Sequence, residues 1–299
     1  MGRARDGAEA SKDGQGRTAN QGWAASLRLD VAWDGQSTRP THREHTGPLR
    51  LQKLLYPEGP KRCHAIVLHP PGGVVGGDTL AIEINAAQQS HILLTSPGAA
   101  KWYRSPDQPS LQSIHLRIAR QACLEWLPQE AIIFDQANTR WDTQVDCADE
   151  TSSVIACEVI MLGRATRGER FTKGQLGNRF CIKRGGKVLY QEQWLLRGGD
   201  ERLNNMQGLS GHSCFGQMWA VAPILQLQQA RARLQETILQ PQLGVAPQIG
   251  ASLLPQGVLI VRAIGLGPEF VRNQLDACWR SIRQIIVGSD AIAPRIWST

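Results

Sequence analysis

From Trp23 onward the chain is written in short apolar or alternating segments separated by turn signals. Trp23–Trp33, Leu49–Tyr56, Cys63–Leu68, Thr79–Asn85, His91–Thr95 and Leu111–Ile118 all have strand length and β-branched or period-two character. Between them, Pro57-Glu58-Gly59-Pro60, Pro70-Pro71-Gly72-Gly73, Gly76-Gly77-Asp78 and Ser96-Pro97-Gly98 would each interrupt a helix. The same texture continues through Ala122–Leu127, Ser153–Leu162, Phe171–Leu176, Arg179–Arg184 and Lys187–Leu196, with Gly185-Gly186 suited to a two-residue hairpin turn. Gly257–Ala263 reads as a buried strand. Helical spacing is confined to the last third. A first helix is expected from about Pro223 to Gln240, stopped by Pro241. A second opens at Pro268-Glu269, repeats Val271, Leu275, Cys278, Trp279, Ile282, Ile285 and Ile286 at helical spacing, and closes at Gly288. The pattern therefore predicts a mainly β chain of many short strands with two α-helices in the C-terminal third, without the alternating strand and helix units of a nucleotide-binding α/β sheet.

At 299 residues and 41% hydrophobic content, the chain can bury a large core without disulfide or metal staples. Residues 1–22 are polar, Gly-rich and of mixed charge, so a disordered leader is expected there, followed by a single domain over residues 23–299. No stretch of about 18 uncharged apolar residues offers a membrane span, and the leader lacks the apolar core of a secretory signal. The seven cysteines are an odd number without Cys-x-x-Cys spacing, which suits buried thiols in a reducing, cytoplasmic compartment. The net charge of +7 comes from basic residues spread along the chain rather than gathered into a stripe. A nucleic-acid partner is therefore a minor reading. Of the 33 basic residues 26 are Arg, the side chain suited to bidentate pairing with carboxylates at protein interfaces.

Few segments carry a recognisable chemical motif. The loop His69-Pro70-Pro71-Gly72-Gly73-Val74-Val75-Gly76-Gly77-Asp78 lacks the Gly-Lys-Ser/Thr ending and the following helix of a phosphate loop, and is expected to form two tight turns with positive φ. Gly208-Leu209-Ser210-Gly211-His212 has the wrong spacing for a nucleophile elbow. No histidine pair sits at metal-binding spacing, although His42 and His45 share a loop with Glu44. The carboxylates Glu125, Glu130, Asp135, Asp142, Asp146, Asp149 and Glu150 gather between positions 125 and 150, with solvated loop charge as the default. A stand-alone hydrolase with a paired acid and base in this cluster is the alternative reading.

Four dense segments remain: HPPGGVVGGD (69–78), LTSPGAAKWYRS (94–105), LEWLPQEAIIFDQA (124–137) and GRATRGERF (163–171). In this order and at these separations they closely resemble the urease accessory protein UreD (UreH) family, and LIVRAIGLGPEFVRNQLDACWRSIR (259–283) looks like that family's C-terminal helix. The resemblance spans roughly residues 23–287, with Ser96 where the family often has Thr. It implies stacked, partly β-helical sheets with two helices, and a protein that is not itself an enzyme. It also implies a scaffold that binds UreF, which recruits the GTPase UreG, the assembly docking on urease apoprotein to place nickel in its active site. GTP then belongs to the partner GTPase, and this chain binds no cofactor stably. Nickel would travel through an internal passage, and a conduit must release the ion, which a closed set of Cys and His ligands would hold.

Carried over residue by residue, Gly72, Gly73, Gly76, Gly77 and Asp78 match the family's glycine-rich turn, and Lys101, Tyr103, Arg104 and Ser105 its post-turn cluster. Pro128 and Glu130 fall in the matching Pro-Gln-Glu segment, and Gly163, Arg164, Gly168 and Glu169 in the charged turn. These positions are expected to be structural or interfacial. Glu130 and Asp135 are the candidates for lining a nickel passage, since carboxylates attract a hydrated divalent cation.

Overall fold

Strands written as unbroken apolar runs and strands that alternate end up in different sheets, because the two sheets face different surroundings. The computed structural model describes residues 22–237 and 248–298. The expected disordered leader, apart from Gly22, lies outside these residues, as does the stop at Pro241.

The first half of the chain forms β1 (Ala24–Trp33), β2 (Thr38–Thr46), β3 (Arg50–Leu51), β4 (Arg62–Leu68), β5 (Thr79–Ala86), β6 (His91–Thr95), β7 (Ala100–Trp102) and β8 (Ser110–Ile118). There follow β9 (Cys123–Trp126), β10 (Ala131–Ile133), β11 (Asn138–Cys147), β12 (Ser153–Leu162), β13 (Gln175–Arg184) and β14 (Lys187–Arg197). The last third holds β15 (Cys214–Val221), α1 (Ile224–Thr237), β16 (Ile249–Leu254), β17 (Val258–Gly265) and α2 (Pro268–Val287). One sheet runs β14-β13-β11-β8-β5-β1-β2. The other runs β16-β17-β15-β12-β9-β6-β4-β3, with β10 and β7 extending it beside β12.

From β4 to β13 the chain steps back and forth between the sheets, and the pairings this creates are parallel: β5 with β8, β8 with β11 and β11 with β13 in one sheet, β4 with β6, β6 with β9 and β9 with β12 in the other. These are the rungs of a flattened β-helix, as the resemblance implies. Antiparallel strands β2, β14 and the β15-β17-β16 set complete the sheets around it.

The sheet containing β12 is covered on both faces, by the other sheet and by α2, so every residue of Ser153–Leu162 but the half-buried Glu158 is buried and the strand is apolar apart from Ser153 and Glu158. The sheet containing β11 has one bare face, and β5, β8 and β11 alternate buried and open positions. The core between the sheets carries Phe180 stacked on Trp219 at 3.8 Å and Trp102 tilted against Trp141 at 5.1 Å. A second core lies under the helices, where the periodic face of α2 from Val271 to Ile286 is buried. Of the seven cysteines all are free thiols and six are buried.

Several expectations are corrected. Leu49–Tyr56 is a strand only at Arg50–Leu51, with a single further bridge from Leu55 to His64. Phe171–Leu176 and Arg179–Arg184 are parts of one strand, because β11 offers ten consecutive partners to residues 175–184 and Phe171 stays outside the ladder. The loop assigned to His42 and His45 is the edge strand β2, where positions three apart point to opposite faces. Of the glycines in the 69–78 loop, only Gly77 has positive φ, at +84°. Gly73 and Gly76 answer to close approach instead: a Cβ on Gly73 would lie 2.5 Å from Tyr103 Cε2 and 2.6 Å from the Lys101 carbonyl oxygen.

Candidate functional site

The four motif segments meet at one end of the sandwich, where the rungs turn from one sheet to the other. Val74 N–H donates to Lys101 O at 2.8 Å, Tyr103 N–H returns a bond to Val74 O at 2.9 Å, and Tyr103 Oη donates to Gly72 O at 3.0 Å. Asp78 accepts from Trp23 N at 2.7 Å and Val75 N at 2.9 Å, which fixes the loop's exit into β5. Ala100 N–H donates to Glu130 O and Phe134 N–H to Trp102 O, so the 94–105 segment lies along the 124–137 segment. Gly163 N–H donates to Ile133 O at 2.7 Å, which adds the 163–171 segment as the next layer. Ser105 joins the same stack through its N–H to Gln136 O and its Oγ, which accepts from Asn138 N at 3.0 Å.

Side chains fasten these layers. Phe134 takes Tyr103 edge-on at 4.9 Å and the Arg164 guanidinium over its ring at 4.4 Å. Arg164 Nε donates to Glu169 Oε2 at 3.0 Å, and Glu169 Oε1 accepts from Asp135 N. Asp135 in turn accepts from Thr172 N at 2.7 Å and Lys173 N at 2.9 Å. Burial would raise the Asp135 carboxyl, but these backbone donors hold it below its ordinary value. Gly168 closes the short turn Ala165–Arg167 in the left-handed region. Pro128 O accepts from Arg272 of α2, and Lys101 and Arg104 are exposed.

Gly163 has φ +78°, and a Cβ there would lie 2.5 Å from Glu169 O. Gly163→Ala is therefore expected to lower stability by about 2 kcal/mol or more, from left-handed strain together with the clash, which a denaturant titration measures. Gly168→Ala, also at positive φ but with nothing within 4 Å, should cost only about half as much.

Behind the rung corners lies a cavity of about 70 Å³ between the sheets, bounded by Trp102, Pro128, Gln129, Trp141, Glu158 and Trp219 among others. Glu158 comes from β12, and burial, followed by repulsion from Glu192, pushes its carboxyl up to about 8. It is therefore largely protonated at neutral pH. Its bond is from Asn178 Nδ2 at 3.2 Å. Trp141, whose indole Nε1 has no hydrogen-bond partner among the described residues, bounds the same cavity. A half-buried carboxyl and an unpaired donor are costly beside an apolar core, and such groups collect where a protein handles polar ligands. Glu158 stands alone inside the most apolar strand of the chain, and its interruption of Val154–Leu162 is the one mark it leaves in the sequence.

A second buried polar group ties α2 to the sheet. Arg283 donates to Glu125 through Nε at 2.9 Å and to Glu58 through Nη2 at 2.7 Å, and Trp279 Nε1 donates to Glu125 at 2.7 Å. His91 Nε2 lies 2.8 Å from Glu125 and His64 Nε2 2.7 Å from Glu58. Burial would raise both carboxyls, but hydrogen bonds from these histidines and the attraction of Arg283 hold each down to about 2.

The carboxylates between 125 and 150 do not converge. Glu125 is sealed under α2 rather than solvated, Asp135 clasps a turn, and Asp142 and Asp146 stand on the bare sheet face beside Arg179 and His115. Asp149 caps its own turn through Thr151. With its members on different faces, and Glu125, Asp135, Asp142, Asp146 and Asp149 each held by a local partner, the cluster gives no acid and base pair, and the hydrolase alternative falls. Among the described residues, no group of three or more His, Cys, Asp or Glu side chains is arranged to hold a metal ion. No helix among them is long and apolar enough to cross a membrane.

The sequence profile of a family described as UreD urease accessory protein matches residues 24–298. A protein named urease accessory protein UreD from Janthinobacterium sp. is 39% identical over 275 residues, covering 92% of this chain and 91% of the relative. One of the same name from Nitrosococcus oceani is 40% identical over 277 residues, covering 93% and 90%. A third, from Pseudomonas paraeruginosa, is 38% identical over 279 residues, covering 93% and 95%.

Proposed function

This chain belongs to the UreD urease accessory protein family, and from that premise we propose that it acts in the maturation of the urease nickel centre. Its relatives are named as accessory proteins, and the chain is accordingly an accessory protein rather than an enzyme. In the proposed role it is a cytoplasmic scaffold that binds UreF, through which the GTPase UreG joins, and the assembly docks on urease apoprotein. GTP is hydrolysed by UreG, and nickel is the cargo.

The observation that carries the transit part of this reading is the cavity between the sheets with Glu158 in its wall. A protonated carboxyl in an apolar cavity is a weak resting site for a divalent cation. The ion must displace a proton to bind and is readily given up when the proton returns. Glu130, partly exposed between the cavity-lining Gln129 and Ala131, has in this proposal the part of drawing the ion toward the cavity. Asp135 faces the turn at Thr172, so its part in the proposal is to hold the rung corner rather than to meet the ion.

Cells carrying the urease structural genes, the other accessory genes and ample nickel are expected to show urease activity only when this chain is also present. Equal activity with and without it would refute the maturation role.

A further inference from the structure

We propose that the rung-corner end of the sandwich is a docking surface for a folded protein that presents an acidic face. The charge on this end is sorted. Its carboxylates are largely turned inward: Asp78 to backbone N–H groups of Trp23 and Val75, Asp135 to those of Thr172 and Lys173, Glu169 to Arg164, and Asp200 to Arg202. Lys101, Arg104, Arg167, Arg170 and Lys173 are exposed, and none of them forms an ion pair among the described residues. Against these five cations stand the exposed Asp107, Glu201 and Glu269 and the partly exposed Glu130. At the opposite end of the rungs Arg39, Arg62 and Arg120 each face a carboxylate, from Asp34, Glu58 and Asp149, while the exposed Lys61 and Lys187 form no ion pair among the described residues.

The register of the strands shows that the cations share one face. Gln136 links Ser105, next to Arg104, to Lys173 through backbone hydrogen bonds on both sides. Ile132 of β10 pairs with Lys101 of β7, and Ile133 lies beside Gly163 at the start of the 163–171 segment. The same end includes the loop before β15, the turn after β17 and the first turn of α2, where Met206 is 93% exposed, Leu266 73% and Phe270 42%. From β7 through β10, β12 and β15 to β17 the face is about 20 Å across at ordinary strand spacing. Cations beside protruding apolar side chains are the composition of a protein interface, in which the apolar groups anchor and the charges steer. Phosphate binding needs only the cations, and the Met206 and Leu266 anchors favour a protein partner.

Taking urease apoprotein as the probe rests on the function proposed above. The full chain, purified with its UreF partner, is tested for capture on immobilised nickel-free urease apoprotein. Two variants are compared with wild type: Lys101→Glu/Arg104→Glu/Lys173→Glu and Arg167→Glu/Arg170→Glu. Arg231→Glu/Arg233→Glu, on the exposed side of α1, serves as the control. The rung-corner variants are expected to lose capture by about tenfold or more while keeping the melting temperature and UreF binding, and the control to behave as wild type. Wild-type capture should weaken steeply with added salt. Capture by both variants at the wild-type level, or an equal loss in the control, would overturn the surface while leaving the accessory role standing. A wild-type chain that captures no apoprotein would overturn both. Equal retention on an immobilised mixed-sequence DNA duplex would overturn the choice of a protein partner.

Discussion

Arg283→Met is expected to destabilise the fold by about 3–5 kcal/mol, because it leaves the buried carboxylates of Glu58 and Glu125 without their shared cation. The melting temperature should fall by about 10 °C on the scale of a chain this size. The consequence is specific to the second core. Trp279 and Arg283 are the points at which α2 is bonded to β9 and to the turn before β4, so near-ultraviolet dichroism from the Trp279 and Trp297 pair, 5.6 Å apart, should be lost before the signal of the sheets. Acid should do the same to the wild type. Both carboxyls are held down to about 2 in the fold, against ordinary values near 4.3 in the unfolded chain. Depressed values stabilise the fold above the unfolded value, and that stabilisation is lost as pH falls from about 5 towards 2. In Glu125→Gln this acid-sensitive component should be reduced, leaving the part due to Glu58. A melting temperature for Arg283→Met equal to wild type would show that the network adds nothing net.

Glu158→Gln is expected to do the opposite to stability while harming function. With its carboxyl pushed up to about 8, the folded chain keeps a proton that the unfolded chain releases above about 4.5. A raised value of this kind makes stability decline as pH rises between those limits. Glutamine fills the same space, carries no charge to bury, and removes the penalty. The variant should gain about 3 kcal/mol at pH 8 and little at pH 4. It also offers no carboxylate to a passing cation, so urease activation in cells should fall severalfold, and Glu158→Asp should restore part of it. Such a trade of function against stability is the mark of a group kept for its task. Full activation by Glu158→Gln would remove Glu158 from the proposed passage.

The parts of the fold that were legible in the sequence are those whose burial is uniform along the element. β12 announced itself because both its faces are covered, and α2 because one continuous stripe faces the second core. β11 was hidden. Its inward positions include Thr139, Trp141 and Thr143, its outward ones Arg140, Asp142, Gln144 and Asp146, and a strand half polar inside and wholly polar outside reads as a loop rich in carboxylates. β2 was hidden more completely, since all but Thr38 and His45 of its nine residues are exposed. It exists because β1 supplies a ladder for it to pair with, which is information held by another segment.

Sequence alone determined the mainly β class, the two late helices, the buried thiols and, through four short motifs, the family. Those properties follow from local spacing and from residue types whose burial depends little on their neighbours. Tertiary structure alone decided that the four motifs are layers of one rung corner, that Glu58, Glu125 and Arg283 share one buried site across 225 residues of sequence, and that Glu158 bounds a cavity. The fate of a charged side chain depends on what other segments bring within a few ångströms of it, and no local pattern carries that distance.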